Sequence, residues 1–250
     1  MKVIPVPCLS DNYAYVLVDD QAREVAIVDP VEPQKVLSIV EQTGMKLKSI
    51  LTTHHHADHA GGNAQLASVL PDLEIYGGDK RIPHMTKQLS DEDEFTLGTL
   101  SIRAIKTLGH TSSSISYFVQ DKQSGENVAF TGDTLFVGGC GRLFEGTPQD
   151  MHTSLNLKLA KLPKDTRVYA GHEYTRANLK FALTVDGDNQ ALKAKVDRCA
   201  TQQCTMPSTI AEELETNPFM RVDQPALQKA TGETDPVQVL AAVRKMKDNF

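Results

Sequence analysis

The chain has 250 residues, 40% of them hydrophobic and 23% charged, a balance that suits one large core or a main domain with a small appendage. A formal net charge of -6 without any Lys/Arg-rich run argues against a nucleic-acid partner and against a membrane-binding patch. Apolar runs such as "YAYVLV" fall far short of a membrane span, and the Pro-broken "MKVIPVPCLSDNY" is too short for a signal-peptide core, so a soluble cytoplasmic protein is expected.

Taken in chain order, Tyr13 to Val18 and Glu24 to Pro30 are rich in β-formers and predict strands, the second closed by Asp29-Pro30. Glu32 to Gly44 spaces Val36, Leu37, Ile39 and Val40 as a helix, with Pro33 near its start and Gly44 at its end. "KSILTT" predicts a compact strand running into a histidine cluster, and "GGNAQLASVLP" a helix stopped by Pro71. Downstream, "LSIRAIKTLGH" alternates as a strand ending at His110, and "SISYFV" and "NVAFTGD" are strand-like, the latter ending at Asp133. "DMHTSLNLKLAKLP" has helical spacing, and "RVYAGHEY" is a strand that runs out around His172. From Thr175 onward strand signals fade, and "ANLKFALTV", "QALKAKVDRCA", "TIAEELE" and "DPVQVLAAVRKMKD" carry helical periods. The expected organisation is a mixed α/β domain over 1–173 followed by a helical domain over 174–250. Cys8, Cys140, Cys199 and Cys204 lack zinc-site spacing and are too few for a disulfide scaffold, so reduced, packed thiols are expected.

Chemistry concentrates in "THHHADHAGG", Thr53 to Gly62, where four of the eight histidines and Asp58 fall between His54 and His59. His110, Asp133 and His172 each lie at or just past a later strand end. In a layered α/β protein such ends gather on one edge, where loops hold functional groups. Neutral imidazole and ionised carboxylate supply the nitrogen and oxygen donors that divalent metals prefer. A single zinc with an open position needs three protein ligands. Seven candidates (His54, His56, Asp58, His59, His110, Asp133 and His172) point to two metals with a carboxylate to bridge them. His84 and His152 are expected to be ordinary surface or core residues, and His55 to point away from the site.

The run "THHHADH" resembles the T-H-x-H-x-D-H signature of the metallo-β-lactamase superfamily, and His110, Asp133 and His172 follow in the family order. The resemblance implies an αββα sandwich with a dinuclear site on one edge. It implies that His54, His56 and His110 ligate one ion, Asp58, His59 and His172 the other, and that Asp133 bridges. "TGDTLFVGGCGRLFEGT", "AGHEYTRANLKFAL", "NPFMR" and the closing "AVRKMKDNF" resemble, within that superfamily, the glyoxalase II (hydroxyacylglutathione hydrolase) family over essentially the whole chain, including a helical tail.

What this implies is hydrolysis of S-(2-hydroxyacyl)glutathione, chiefly S-D-lactoylglutathione, by a metal-bridging hydroxide that Asp58 orients. The implied ions are two divalent metals, zinc first, with iron or manganese as alternatives. Arg244 and Lys247, three apart on one predicted helix face, match the positions that hold the glycine carboxylate of glutathione, and Arg142, Phe144 and Tyr174 match further contacts. Phe144 stands where some relatives have Tyr, and Ser113 and Ser114 stand where the family commonly has a Gly-His pair. The partner implied is a small-molecule glutathione thioester taken up by a monomer. A glutathione persulfide dioxygenase of the same fold, another hydrolase of the superfamily, or a non-enzymatic descendant would share parts of the pattern. The Arg-x-x-Lys tail and the complete ligand set favour the thioester hydrolase.

Overall fold

In the computed structural model, which describes residues 1–250, short β-rich runs build a mixed six-stranded sheet: β1 (Lys2–Cys8), β2 (Asn12–Asp19), β3 (Glu24–Val28), β4 (Lys46–Leu51), β5 (Glu74–Gly77) and β6 (Lys87–Gln88), in that spatial order. The first three strands pair antiparallel, and β3 to β6 run parallel. In the register Tyr15↔Val28, Val28↔Leu51 and Leu51↔Tyr76, the C-terminal ends of β3, β4 and β5 therefore lie side by side. That edge is where a parallel sheet places its functional loops.

Helix α1 (Pro33–Thr43) forms because Pro33 presets its first turn and its apolar residues recur on one face; Gly44, at φ 62°, ends it in a left-handed cap. Its Val36 and Val40, with Leu66 of helix α3 (Asn63–Val69), close over Ala14, Val16, Val18, Val25, Ile27 and Ile50. Helix α2 (Ala57–Ala60) is a single turn inside the histidine motif. Every residue of β2 is buried, because its opposite face meets a second, antiparallel sheet. That sheet contains β7 (Glu94–Leu97), β8 (Leu100–Lys106), β9 (Ile115–Asp121) and β10 (Glu126–Gly132). Tyr15 and Phe130 meet with ring centroids 5.5 Å apart, and the Tyr117 hydroxyl donates to the Thr52 carbonyl at 2.9 Å. These elements form one compact unit, Met1–Lys106 with Ser113–Gly132.

A second unit comprises Thr107–Ser112 and Asp133–Phe250. It contains the hairpin β11 (Leu135–Phe136) and β12 (Gly139–Cys140), helix α4 (Pro148–His152), and strand β13 (Arg167–Ala170) paired with β14 (Ser208–Thr209). Five helices follow β13: α5 (Thr175–Val185), α6 (Gln190–Cys199), α7 (Ile210–Thr216), α8 (Pro225–Thr231) and α9 (Pro236–Asp248). Leu179 and Ala182 of α5 pack on Leu192 and Cys199 of α6. All four cysteines are free thiols. The mixed α/β sandwich with a helical C-terminal region agrees with the fold class expected from the sequence.

Several short elements, among them β5, β6, β7 and α8, lie outside the sequence expectation, and two further differences have a clear physical reason. Strand β1 was not anticipated, because Pro5 and Pro7 read as breakers; they are tolerated because β1 is the edge strand, where a missing N–H need not face a partner. The helix expected over Asp150 to Pro163 is regular only through His152, widens to a π-helix over Thr153–Lys158, and tightens to a 3₁₀ turn over Leu159–Lys161. The widened turn carries Ser154 and Asn156, whose side chains donate to the Leu108 and Phe219 carbonyls at 2.7 and 3.1 Å.

Candidate metal centre and substrate cavity

In the first unit the ligand-type side chains sit just past the end of β4. The Thr53 backbone N–H and hydroxyl donate to the two oxygens of Asp29, at 2.8 and 2.7 Å. With its only proton committed to Asp29, the Thr53 oxygen accepts from His54 Nδ1 at 3.0 Å. That bond puts the His54 proton on Nδ1 and leaves Nε2 as a lone-pair donor. Asp29 Oδ2 also accepts from His59 Nδ1 at 3.0 Å, which fixes the same tautomer there. Carboxylate or hydroxyl partners on the far nitrogen are how metal-binding imidazoles are oriented. Asp29 is 2% exposed, so this small network works in a low-dielectric setting that strengthens each bond.

Two donor pairs result. His54 Nε2 and His56 Nδ1 lie 3.1 Å apart with ring planes at 80°, and His59 Nε2 lies 3.6 Å from Asp58 Oδ2. Asn12 holds Asp58 by donating to its backbone carbonyl at 3.0 Å and to Oδ2 at 3.1 Å. Two ligands on one tetrahedral zinc, each bonded at the usual length, are separated by about 3.3–3.4 Å. Both donor pairs fall close to that separation, so their chemistry and spacing fit a divalent ion. Gly62 closes the loop against the β3 end; a Cβ there would sit 1.7 Å from the Pro30 carbonyl oxygen, which explains the glycine after the motif. His55 turns to Asp79, with Nδ1 3.4 Å from Oδ2. Asp79 also takes Arg81 Nε at 2.8 Å and the Ser113 hydroxyl. Burial alone would raise its pKa, but the bonds from Arg81 and Ser113 bring it down to about 2. His84 is exposed and His152 half-buried, neither near the motif in sequence.

In the second unit, His110 Nε2 and His172 Nε2 lie 3.5 and 3.4 Å from the same oxygen of Asp133. One carboxylate oxygen flanked by two imidazole nitrogens is an arrangement suited to bridging. His110 Nδ1 donates to the Arg142 carbonyl at 2.9 Å, which leaves its Nε2 for a ligand. His172 is stacked on Tyr174, centroids 4.6 Å apart and planes at 8°, with Phe136 edge-on to both. Phe144, 62% exposed, meets the His110 ring at 5.2 Å.

His110 and Asp133 line a cavity of about 370 Å³ together with Arg142, Tyr174, Arg244 and Lys247. Arg244 is largely buried, donates from Nη1 to the Cys140 carbonyl at 2.8 Å, and pairs with Asp248 through Nη2 at 3.0 Å. Its Nε has no hydrogen-bond partner. Burial, and then the charges of Arg244 and Arg142, lower the pKa of Lys247. Burial pushes the Cys140 thiol up to about 11, against the pull of Arg244, so it stays protonated at neutral pH. The cavity is thus lined both by ligand-type groups and by three cationic side chains.

Sequence patterns did not single out Asn12, Asp29 or Thr53 as site residues. The available signal was positional: Asp29 and Thr53 follow adjacent parallel strands, and Asp29 stands before Pro30 with φ 49°, an uncommon conformation for a residue other than glycine.

Residues 10–172 match the metallo-beta-lactamase superfamily, and residues 173–250 match the family described as hydroxyacylglutathione hydrolase C-terminus. Over 256 residues the chain is 46% identical to the cytoplasmic hydroxyacylglutathione hydrolase of Arabidopsis thaliana, covering 100% of this chain and 99% of that one. It is also 46% identical, over 257 residues and 100% of both chains, to the hydroxyacylglutathione hydrolase of Synechococcus sp. (strain JA-3-3Ab). Among solved structures, ETHE1 from Myxococcus xanthus superposes with a TM-score of 0.70 at 26% identity, covering 99% of this chain and 98% of that one.

Proposed function

Since the chain belongs to the hydroxyacylglutathione hydrolase family of the metallo-β-lactamase superfamily, we propose how its own residues hydrolyse an S-(2-hydroxyacyl)glutathione, chiefly S-D-lactoylglutathione, to the 2-hydroxy acid and glutathione. His54, His56 and His110 would hold one divalent ion and Asp58, His59 and His172 a second, with Asp133 as the carboxylate available to both. Zinc suits this donor set best, and iron or manganese accept the same ligands. When bound, such a pair supplies Lewis acidity at the carbonyl and a water acidic enough to act as nucleophile near neutral pH.

The protein's own groups do the rest. Thr53, Asp29 and the Arg142 carbonyl keep the protons of His54, His59 and His110 on Nδ1, so each ring presents its other nitrogen without reorganising. Asp58, steadied by Asn12, orients the attacking water, and its carboxylate is the catalytic group of the first unit. Water oxygen bonds to the thioester carbon and the C–S bond breaks. The leaving thiol has a pKa of roughly 8.5, so the thiolate departs without a dedicated acid. Arg142, Arg244 and Lys247 draw in the carboxylates of glutathione locally, which offsets a net charge of -6 that would repel an anion. Phe144 and Tyr174 supply apolar walls.

The observation that carries this reading is that one cavity is lined by His110 and Asp133 and also by Arg244 and Lys247. A 1–173 catalytic domain and a 174–250 substrate-binding domain divide the labour. We further infer a cytoplasmic monomer with no nucleic-acid or membrane partner; no helix is long and apolar enough to cross a membrane. The test is to follow free-thiol release from S-D-lactoylglutathione alongside oxygen uptake with glutathione persulfide. Thiol release without oxygen uptake is the expected result, and oxygen uptake without thiol release would overturn the assignment.

A further inference from the structure

The turn between β1 and β2 holds a leucine that the free fold does not use. Leu9 is 56% exposed and has φ 46°, in the left-handed region that costs a branched side chain and suits glycine. Arg23, Asp29, His84 and Glu92 are the other residues besides glycine at positive φ, and all four are polar or charged. A leucine there accepts both a strained backbone and an unburied apolar side chain.

The turn is nevertheless built firmly. The Leu9 backbone N–H donates to Glu32 Oε2 at 2.7 Å, and Lys35 pairs with the same oxygen at 2.7 Å. Glu32 lies three residues after Asp29, in the loop whose carboxylate orients His59. On its other side the turn closes with the pair Cys8↔Asn12, and Asn12 grips Asp58. The turn is thus tied on one side to Glu32, three residues from Asp29, and closes on the other at Asn12, which grips Asp58, while the Leu9 side chain is left largely exposed.

We propose that Leu9 is a specificity-determining residue that packs on the α-substituent of the acyl group, the R of R–CH(OH)–CO–S. The inference rests on the thioester hydrolase reading, in which the reacting carbonyl lies beside Asp58. The strain and exposure are then tolerated because contact with the acyl group supplies the burial that the fold withholds. Larger apolar R groups gain from Leu9, and R = H gains nothing.

The test uses the full-length, metal-loaded protein and three glutathione thioesters, glycoloyl (R = H), D-lactoyl (R = methyl) and D-mandeloyl (R = phenyl). Leu9→Gly and Leu9→Asn both suit positive φ, so each removes the side chain while keeping the turn. Expected in both variants is a drop of about tenfold in kcat/KM for the mandeloyl thioester relative to the glycoloyl thioester, the scale of a lost apolar pocket contact. Glycoloyl turnover stays within about twofold of the parent on the same reasoning, and Tm is unchanged or raised. An unchanged mandeloyl-to-glycoloyl ratio, or an equal loss on all three thioesters, overturns the proposal. Absence of hydrolysis of any thioester by the parent protein would instead overturn the functional reading beneath it.

Discussion

Removing the Glu213 carboxylate should destabilise the second unit far more than an average substitution. Glu213 is fully buried and accepts from Lys195 Nζ at 2.6 Å, Ser208 Oγ at 2.5 Å, Gly138 N at 2.8 Å and Asn217 Nδ2 at 2.9 Å. Lys195 is 2% exposed, and its nearest other carboxylate oxygen, on Glu212, is 3.5 Å away. Glu213→Leu strands the ammonium, which costs about 3–5 kcal/mol in a buried pair. It also orphans the Gly138 amide, for about 1–3 kcal/mol more. Partial rescue of Lys195 by Glu212 keeps the total near 4–6 kcal/mol, a Tm roughly 10–20 °C lower for a chain of this size.

Lys195→Met combined with Glu213→Leu removes both charges and leaves mainly the Gly138 amide unmet, so the double variant should sit only about 1–3 kcal/mol below the parent. Urea denaturation of the parent, both single variants and the double variant closes the cycle, with the coupling read from the difference. Single variants that each lose under about 1 kcal/mol, or a double variant that loses their sum, would refute the reasoning. The outcome bears on function, because Glu213 and Asn217 together hold the β11–β12 hairpin that supplies Phe136 and Cys140 to the cavity.

Three further outcomes are expected. Asp29→Asn disturbs the tautomers of His54 and His59, and should weaken metal affinity about 10- to 100-fold in a competitive chelator titration; unaltered affinity would show that Asp29 does not orient them. Lys247→Met and Arg244→Gln remove charged donors worth about 1.5–3 kcal/mol each, and should raise KM for S-D-lactoylglutathione roughly 10- to 100-fold while kcat stays within about threefold; a loss confined to kcat would contradict a binding role. Asp79 has its pKa held from 3.8 down to about 2, so its contribution is complete above pH 3.8 and lost as pH falls toward 2. The Tm-against-pH curve of Asp79→Asn should therefore be flatter than the parent's in that window, and an identical acid limb would count against the assignment.

Much of the architecture was legible because local and tertiary demands agree. In α1 the apolar spacing, Pro33 and Gly44 all point to the same helix, and β2 is apolar on both faces because sheet and helices bury both. Strand β1 was hidden because proline propensity is a local signal and edge position is not. The ligand-type residues were visible as a motif because metal chemistry restricts residue type. Their supports were not, because any buried acceptor can hold an imidazole proton; an aspartate, a threonine hydroxyl and a backbone carbonyl do so here. The face shared by Arg244 and Lys247 followed from helical spacing. That Arg244 would be buried against Cys140 and Asp248 depended on contacts from residues far away in sequence as well as its own helix.

The most direct test of the central claim is to strip the protein with chelator and titrate zinc back while following thiol release from S-D-lactoylglutathione. Negligible release without metal, and a rise that saturates at two equivalents per chain, is the expected result. Full activity at one equivalent, or activity untouched by chelation, would contradict it.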